Sequence, residues 1–115
     1  MVSRLYDEIP PPLTGWPVEV TEELGNWLEE IIEDETVSAF YIGRGVDLAQ
    51  RMSAHGAHEI LALYRTDSAD HAIEVEDALL QTYFHHEKNE NEASDGRGGR
   101  SEEYVNYVYV AVWFD

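Results

Sequence analysis

Residues 37–55, VSAFYIGRGVDLAQRMSAH, read as a strand, a turn and a helix. The β-branched and aromatic run from Val37 to Ile42 favours extended backbone. Gly43 and Gly45 bracket a turn, and Asp47 can cap a helix that Gly56 ends. Arg51 and His55 are four residues apart, so the helix carries both on one face. Tyr41, leaving the strand, and this cation pair are then expected to face one pocket.

C-terminal to this stretch, His58 to Thr66 alternates as a second strand, with Ile60, Ala62 and Tyr64 on one side and Leu61, Leu63 and Arg65 on the other. Ser68 or Asp70 caps the longest helix, which is expected to run to about His86. Ile73, Glu76, Leu80 and Tyr83 share its apolar face with Ala72 and Leu79, while Glu74 lies among polar neighbours. A carboxylate aimed at a core needs a cation, a metal or hydrogen-bond donors. For Glu76 two answers stand level at this point: an ion pair with Arg51 or Arg65, or a metal.

N-terminal to it, residues 1–20 hold four prolines, Pro10, Pro11, Pro12 and Pro17. They are expected to form an extended arm anchored by Leu5, Tyr6, Leu13 and Trp16 rather than a helix or a central strand. A proline-rich ligand for an aromatic groove is the weaker reading. Thr21 is the expected cap of a first helix. Leu24, Trp27, Leu28, Ile31 and Ile32 form its buried stripe, and Glu22, Glu23, Glu29, Glu30, Glu33 and Asp34 its wet face. Gly25 leaves room for close packing.

Residues 87–103 form a long polar segment, expected to be a flexible loop. Its Gly96-Arg97-Gly98-Gly99-Arg100 run lacks the ending of a phosphate-binding P-loop. Arg97 and Arg100 are candidates for a flap over a nucleic-acid strand, against the blander reading of a solvated loop. The adjacent His85 and His86 project about 100° apart on a helix and do not converge on one ion. Tyr104 to Phe114 is the strongest strand pattern in the chain. Valines and aromatics on both of its faces mark a strand buried on both sides, hence central.

Composition bounds the function. One domain spanning 1–115 is expected, with a modest core. No cysteine is present, and no apolar run approaches the length of a membrane span, so a soluble, cytoplasmic protein without a membrane partner is expected. Twenty-four acidic against seven basic residues give a formal charge of −17. Duplex affinity rests largely on cations that neutralise phosphates. Nucleic-acid binding therefore requires a salt-tolerant or halophilic setting that screens the repulsion, or a local exception around Arg44, Arg51 and His55. The alternative is an acidic protein that binds a basic partner or mimics DNA.

Tyr41-Ile42-Gly43, an arginine ten residues after the tyrosine (Arg51), a histidine four further on (His55) and Glu76 on the later helix together resemble the GIY-YIG nuclease signature. The match runs from about Phe40 to Tyr83. The signature's first Gly-Ile-Tyr strand, about ten residues before Tyr41, is absent. The C-terminal strand is expected to take its central slot, a permutation in which Tyr109 stands for the lost tyrosine and Tyr107 is held in reserve.

The resemblance implies a small α+β fold with a three-stranded, mainly antiparallel sheet flanked by helices. It further implies a metal-dependent endonuclease, phage or mobile-element borne, that hydrolyses DNA phosphodiester bonds. Glu76 would hold one Mg²⁺ or Mn²⁺ ion, Tyr41 would assist the general base, and Arg51 would bind the scissile phosphate. His55 and Tyr109 would position water and substrate. Gly43, Arg44, Asn91, Arg97 and Arg100 complete the expected substrate contacts.

Overall fold

A computed structural model describes residues 14–91 and 105–114. Among these, the chain runs α1 (Pro17–Glu33), β1 (Val37–Gly45), α2 (Leu48–His55), β2 (Glu59–Thr66), α3 (Ala69–Tyr83) and β3 (Asn106–Phe114). The fold is α+β, with one three-stranded antiparallel sheet in the order β1-β3-β2. The C-terminal strand is central, as its two-sided apolar pattern requires.

The two faces of the sheet differ. Phe40 and Ile42 of β1, Val108, Val110 and Val112 of β3, and Leu61, Leu63 and Tyr64 of β2 pack with Leu24, Leu28 and Ile31 of α1 and Val75 and Leu79 of α3. This is the core, and α1 and α3 cover it. The opposite face carries Tyr41, Gly43 and Gly45 of β1, with Tyr107 and Tyr109 opposite the glycines. It is covered by α2, a two-turn helix with no buried residue of its own. Asp47 caps α2 by accepting from the Gln50 amide at 3.1 Å, and Gly56 ends it in the left-handed conformation at φ 65°.

Four elements depart from expectation. β1 continues through Gly43, Arg44 and Gly45, expected as a turn, because all three pair with β3. Residues 1–13 of the expected arm lie outside the described residues, but Pro17 to Val20 are helical. α1 starts at Pro17, where the fixed φ of proline suits the first helical position and its missing N–H would have had no partner. Thr21 therefore sits inside α1, and its hydroxyl donates to the Pro17 carbonyl instead of capping.

In β2 the register shifts between Ala62 and Tyr64. This bulge returns Tyr64, opposite Val108, to the core face and turns Arg65, opposite Tyr107, to the α2 face. Simple alternation had them the other way round. Helix α3 stops at Tyr83, three residues short of His86, and Ser68 rather than Asp70 caps it by accepting from the His71 amide at 3.2 Å.

Residues 88–91, expected within the flexible loop, instead lie along the outer edge of β1. Phe40 donates its amide to the Lys88 carbonyl at 2.9 Å, and Glu90 donates to the Phe40 carbonyl at 2.8 Å. Lys88 Nζ donates to the Ile32 carbonyl at 2.7 Å, tying the strap to the end of α1. No helix among the described residues is long and apolar enough to cross a membrane.

Candidate functional site

The α2 face gathers five of the expected site residues, Tyr41, Gly43, Arg51, His55 and Tyr109. Tyr109 rises from the central strand opposite Gly43, and its hydroxyl lies 2.8 Å from His55 Nε2. The Tyr41 and His55 rings are 4.3 Å apart, and the two phenol rings stack at 6.5 Å.

Gly43 is the floor of this cluster. A Cβ there would stand 2.6 Å from the Tyr109 hydroxyl oxygen and 2.8 Å from Tyr41 Cε1, so no other residue leaves room for both phenols. Two residues on, Gly45 is roofed by the Arg51 side chain, whose Cγ would lie 3.2 Å from a Cβ at that position. The Nε of Arg51 is buried and has no hydrogen-bond partner among the described residues. A buried N–H left unsatisfied is unfavourable by about 1–3 kcal/mol and points to an absent acceptor.

These positions follow from local sequence. Tyr41, Gly43 and Gly45 share parity along β1, and Arg51 and His55 share a face of a capped helix that starts three residues after the strand ends. Tyr109 is fully buried, whereas Tyr41, Arg51 and His55 are partly open to solvent. The Tyr109 phenol therefore orients the His55 imidazole, and the other three side chains are placed to meet a ligand.

Glu76 lies apart from this cluster. It is buried on the core face, and its Oε1 accepts from Arg44 Nε at 2.7 Å. Its cation is thus neither Arg51 nor Arg65. Arg44, expected to contact substrate, is only 7 % exposed and is committed to that carboxylate. The signal was present in the sequence: Arg44 has the parity of Phe40 and Ile42, so it points into the core, where an acid must meet it.

Two further expected substrate contacts have structural positions. The Gly43 backbone is covered by the two phenols and offers no ground for substrate. Asn91 accepts from the Ile42 amide at 2.9 Å and donates to the Ile42 carbonyl at 2.8 Å, so its carboxamide closes the edge of β1 as a paired strand would. Arg97 and Arg100 lie outside the described residues.

As a divalent-cation site, the set around Glu76 does not fit. Its one carboxylate is already balanced by a guanidinium, which would repel an ion at the same oxygens. Among the described residues no three His, Asp or Glu side chains converge. Compared with protein-family models, curated proteins and solved structures, the chain matches none.

Proposed function

We propose that the domain is a GIY-YIG-type phosphodiesterase that binds and cuts DNA on its α2 face, in a cytoplasmic setting where salt screens its acidic surface. The observation that carries the reading is the buried, unsatisfied Arg51 Nε beside a cluster of two phenols and an imidazole. A phosphate oxygen is the acceptor that this N–H lacks, and a guanidinium binds it by a charge-assisted hydrogen bond. The central position of β3, which brings Tyr109 opposite Gly43, supports the permuted form of the signature.

In this reading Arg51 holds the scissile phosphate and balances the charge that grows as water adds to phosphorus. Tyr41 takes part in removing the proton of the attacking water. His55, held by Tyr109, orients that water and the substrate, while the bond from phosphorus to the 3′ oxygen breaks and that oxygen gains a proton. The resemblance calls for Mg²⁺ or Mn²⁺ on Glu76. Because the residues there do not form a cation site as they stand, no step is assigned to an ion.

A second reading, an inactive acidic domain that binds a basic protein or mimics DNA, is favoured by the Arg44–Glu76 pair, which neutralises the carboxylate the chemistry would need. Plasmid nicking by the full chain, from low to molar salt, with Mg²⁺, with Mn²⁺ and with EDTA, separates the two. Nicking that is lost in Arg51→Lys and His55→Ala, both in a helix that buries little, supports the nuclease. No nicking under any condition, with tight binding to a basic protein, supports the inactive domain. Nicking that needs metal and disappears in Glu76→Gln, under conditions where that variant is shown to be folded, would place an ion at Glu76, against the fit described above.

A further inference from the structure

Among the described residues the permanent cations are Arg44, Arg51, Arg65 and Lys88. Two are directed inward: Arg44 to Glu76, and Lys88 to the Ile32 carbonyl. Arg51 and Arg65 enter no salt bridge among the described residues. The sheet register aligns these two. Gly45, roofed by Arg51, lies opposite Tyr107, and Tyr107 lies opposite Arg65. Arg51, Tyr107 and Arg65 thus form one row across the α2 face, spanning two strand spacings, or about 10 Å.

Arg65 also lines a cavity of ≈ 470 Å³ at the heads of α1 and α3, with Gly15, Trp16, Thr66, Asp67 and His71 among others. That volume falls within the range of small-ligand sites. Trp16, at the head of α1, is 61 % exposed, and its ring tilts against that of His71 at 5.0 Å between centroids. A tryptophan held from one side and open on the other is a platform for a planar ring. Asp67 adds an acceptor for ring N–H groups, while Arg65, shared by the row and the cavity, suits a phosphate; the Thr66 hydroxyl already accepts from the Ser68 amide at 3.0 Å. The combination of stacking surface, acceptor and cation describes a nucleotide better than an inorganic anion, which Asp67 would repel.

We propose that this row and cavity form a track for single-stranded nucleic acid, with phosphates on Arg51 and Arg65, one base against Tyr107 and the next stacked on Trp16 in the cavity. The track rests on the nucleic-acid reading above and adds to it a preference for unpaired strands, since a base can reach Trp16 only when unstacked from its complement.

The test is binding of oligothymidylate and of a duplex of equal length to the full chain in EDTA, read by tryptophan emission and repeated over a range of salt. The single strand should quench the emission and bind more tightly than the duplex. The quenching should vanish in Trp16→Phe, which separates it from Trp27 and Trp113. Trp16→Ala should weaken binding roughly tenfold or more, and Arg65→Ala should weaken it and lower the salt slope by about one. Trp16 and Arg65 are exposed, so these variants keep the fold. Equal affinity of thymidine monophosphate and the oligomer, a preference for duplex, or binding indifferent to Trp16→Ala and Arg65→Ala would overturn the track. Quenching by the single strand with no nicking in any condition would retain the track and remove the nuclease. Nicking with unchanged kinetics in both variants would do the reverse.

Discussion

The Tyr109 hydroxyl and His55 Nε2 lie 2.8 Å apart although 54 residues separate them in the chain. The contact joins the central strand to the helix that covers it, and it fixes the imidazole beside Tyr41. Removing the hydroxyl alone, in Tyr109→Phe, keeps the ring that fills the space over Gly43. The expected result is a loss of about 1 kcal/mol in urea unfolding, together with a fall in nicking of tenfold or more. A packing role alone would leave the rate per folded molecule unchanged.

Gly43 and Gly45 separate two kinds of close approach. A Cβ at Gly43 meets the Tyr109 phenol at 2.6 and 2.7 Å and Tyr41 at 2.8 Å, so Gly43→Ala must push two packed rings apart. It should destabilise the domain by about 1–3 kcal/mol and lengthen the His55–Tyr109 contact. At Gly45 the neighbour is the Arg51 side chain, at 3.2 Å to Cγ and 3.4 Å to Nε. A flexible chain can yield, so Gly45→Ala should cost less stability yet displace Arg51. Chemical denaturation of both variants, with nicking assays alongside, distinguishes the rigid contact from the adaptable one.

How much of this was legible in the sequence depended on whether a local pattern or a distant partner decides the position. The central placement of β3 follows from valines and aromatics on both of its faces, and the α2 cap from Asp47 and Gly56. The Tyr41, Arg51 and His55 grouping follows from parity and helical spacing. Glu76 is legible as a buried acid with two open answers, an ion pair with Arg51 or Arg65 or a metal, but its cation is Arg44, whose parity with Phe40 and Ile42 is hidden when it is taken as part of a glycine turn. Arg65 was placed on the wrong face because a bulge leaves no mark in a run of apolar residues. The edge-closing role of Asn91 depends on where the chain returns after α3, which no local pattern encodes.

Tyr83 supplies a pH-dependent element. Its hydroxyl donates to the Gly25 carbonyl at 2.9 Å, across the contact between α3 and α1. Burial, followed by the nearby Glu29 and Glu33, pushes the phenol up from 10.0 to about 12. Between these values the unfolded chain releases the proton while the folded one retains it. Stability is therefore complete below pH 10 and falls as pH rises toward about 12, by at most about 1.4 kcal/mol per pH unit. Unfolding free energies measured from pH 9 to 12 should show this decline, and Tyr83→Phe should flatten it. An identical slope in the variant would assign the decline to other groups.

The Arg44–Glu76 pair decides how the core face tolerates charge. Both side chains are buried, and the carboxylate would be left without its cation if Arg44 were truncated. Arg44→Met should therefore destabilise by about 3–5 kcal/mol, far more than a surface arginine would. Glu76→Gln, which leaves a buried guanidinium short of its anion, should be of similar size. Replacing both at once, in Arg44→Met with Glu76→Leu, removes both charges and their desolvation together. The double variant is expected to recover most of the stability lost in either single one, with a coupling in the double-mutant cycle of at least about 2 kcal/mol. Urea midpoints of the four proteins measure this coupling, and simple additivity would mean that the two side chains hold other partners more firmly than each other. Addition of Mg²⁺ to Arg44→Met provides a second readout on the same protein. A rise in its melting temperature that the parent does not show would mean that the arginine occupies the position of a cation, and no rise would mean that Glu76 lacks the further oxygen ligands such an ion requires.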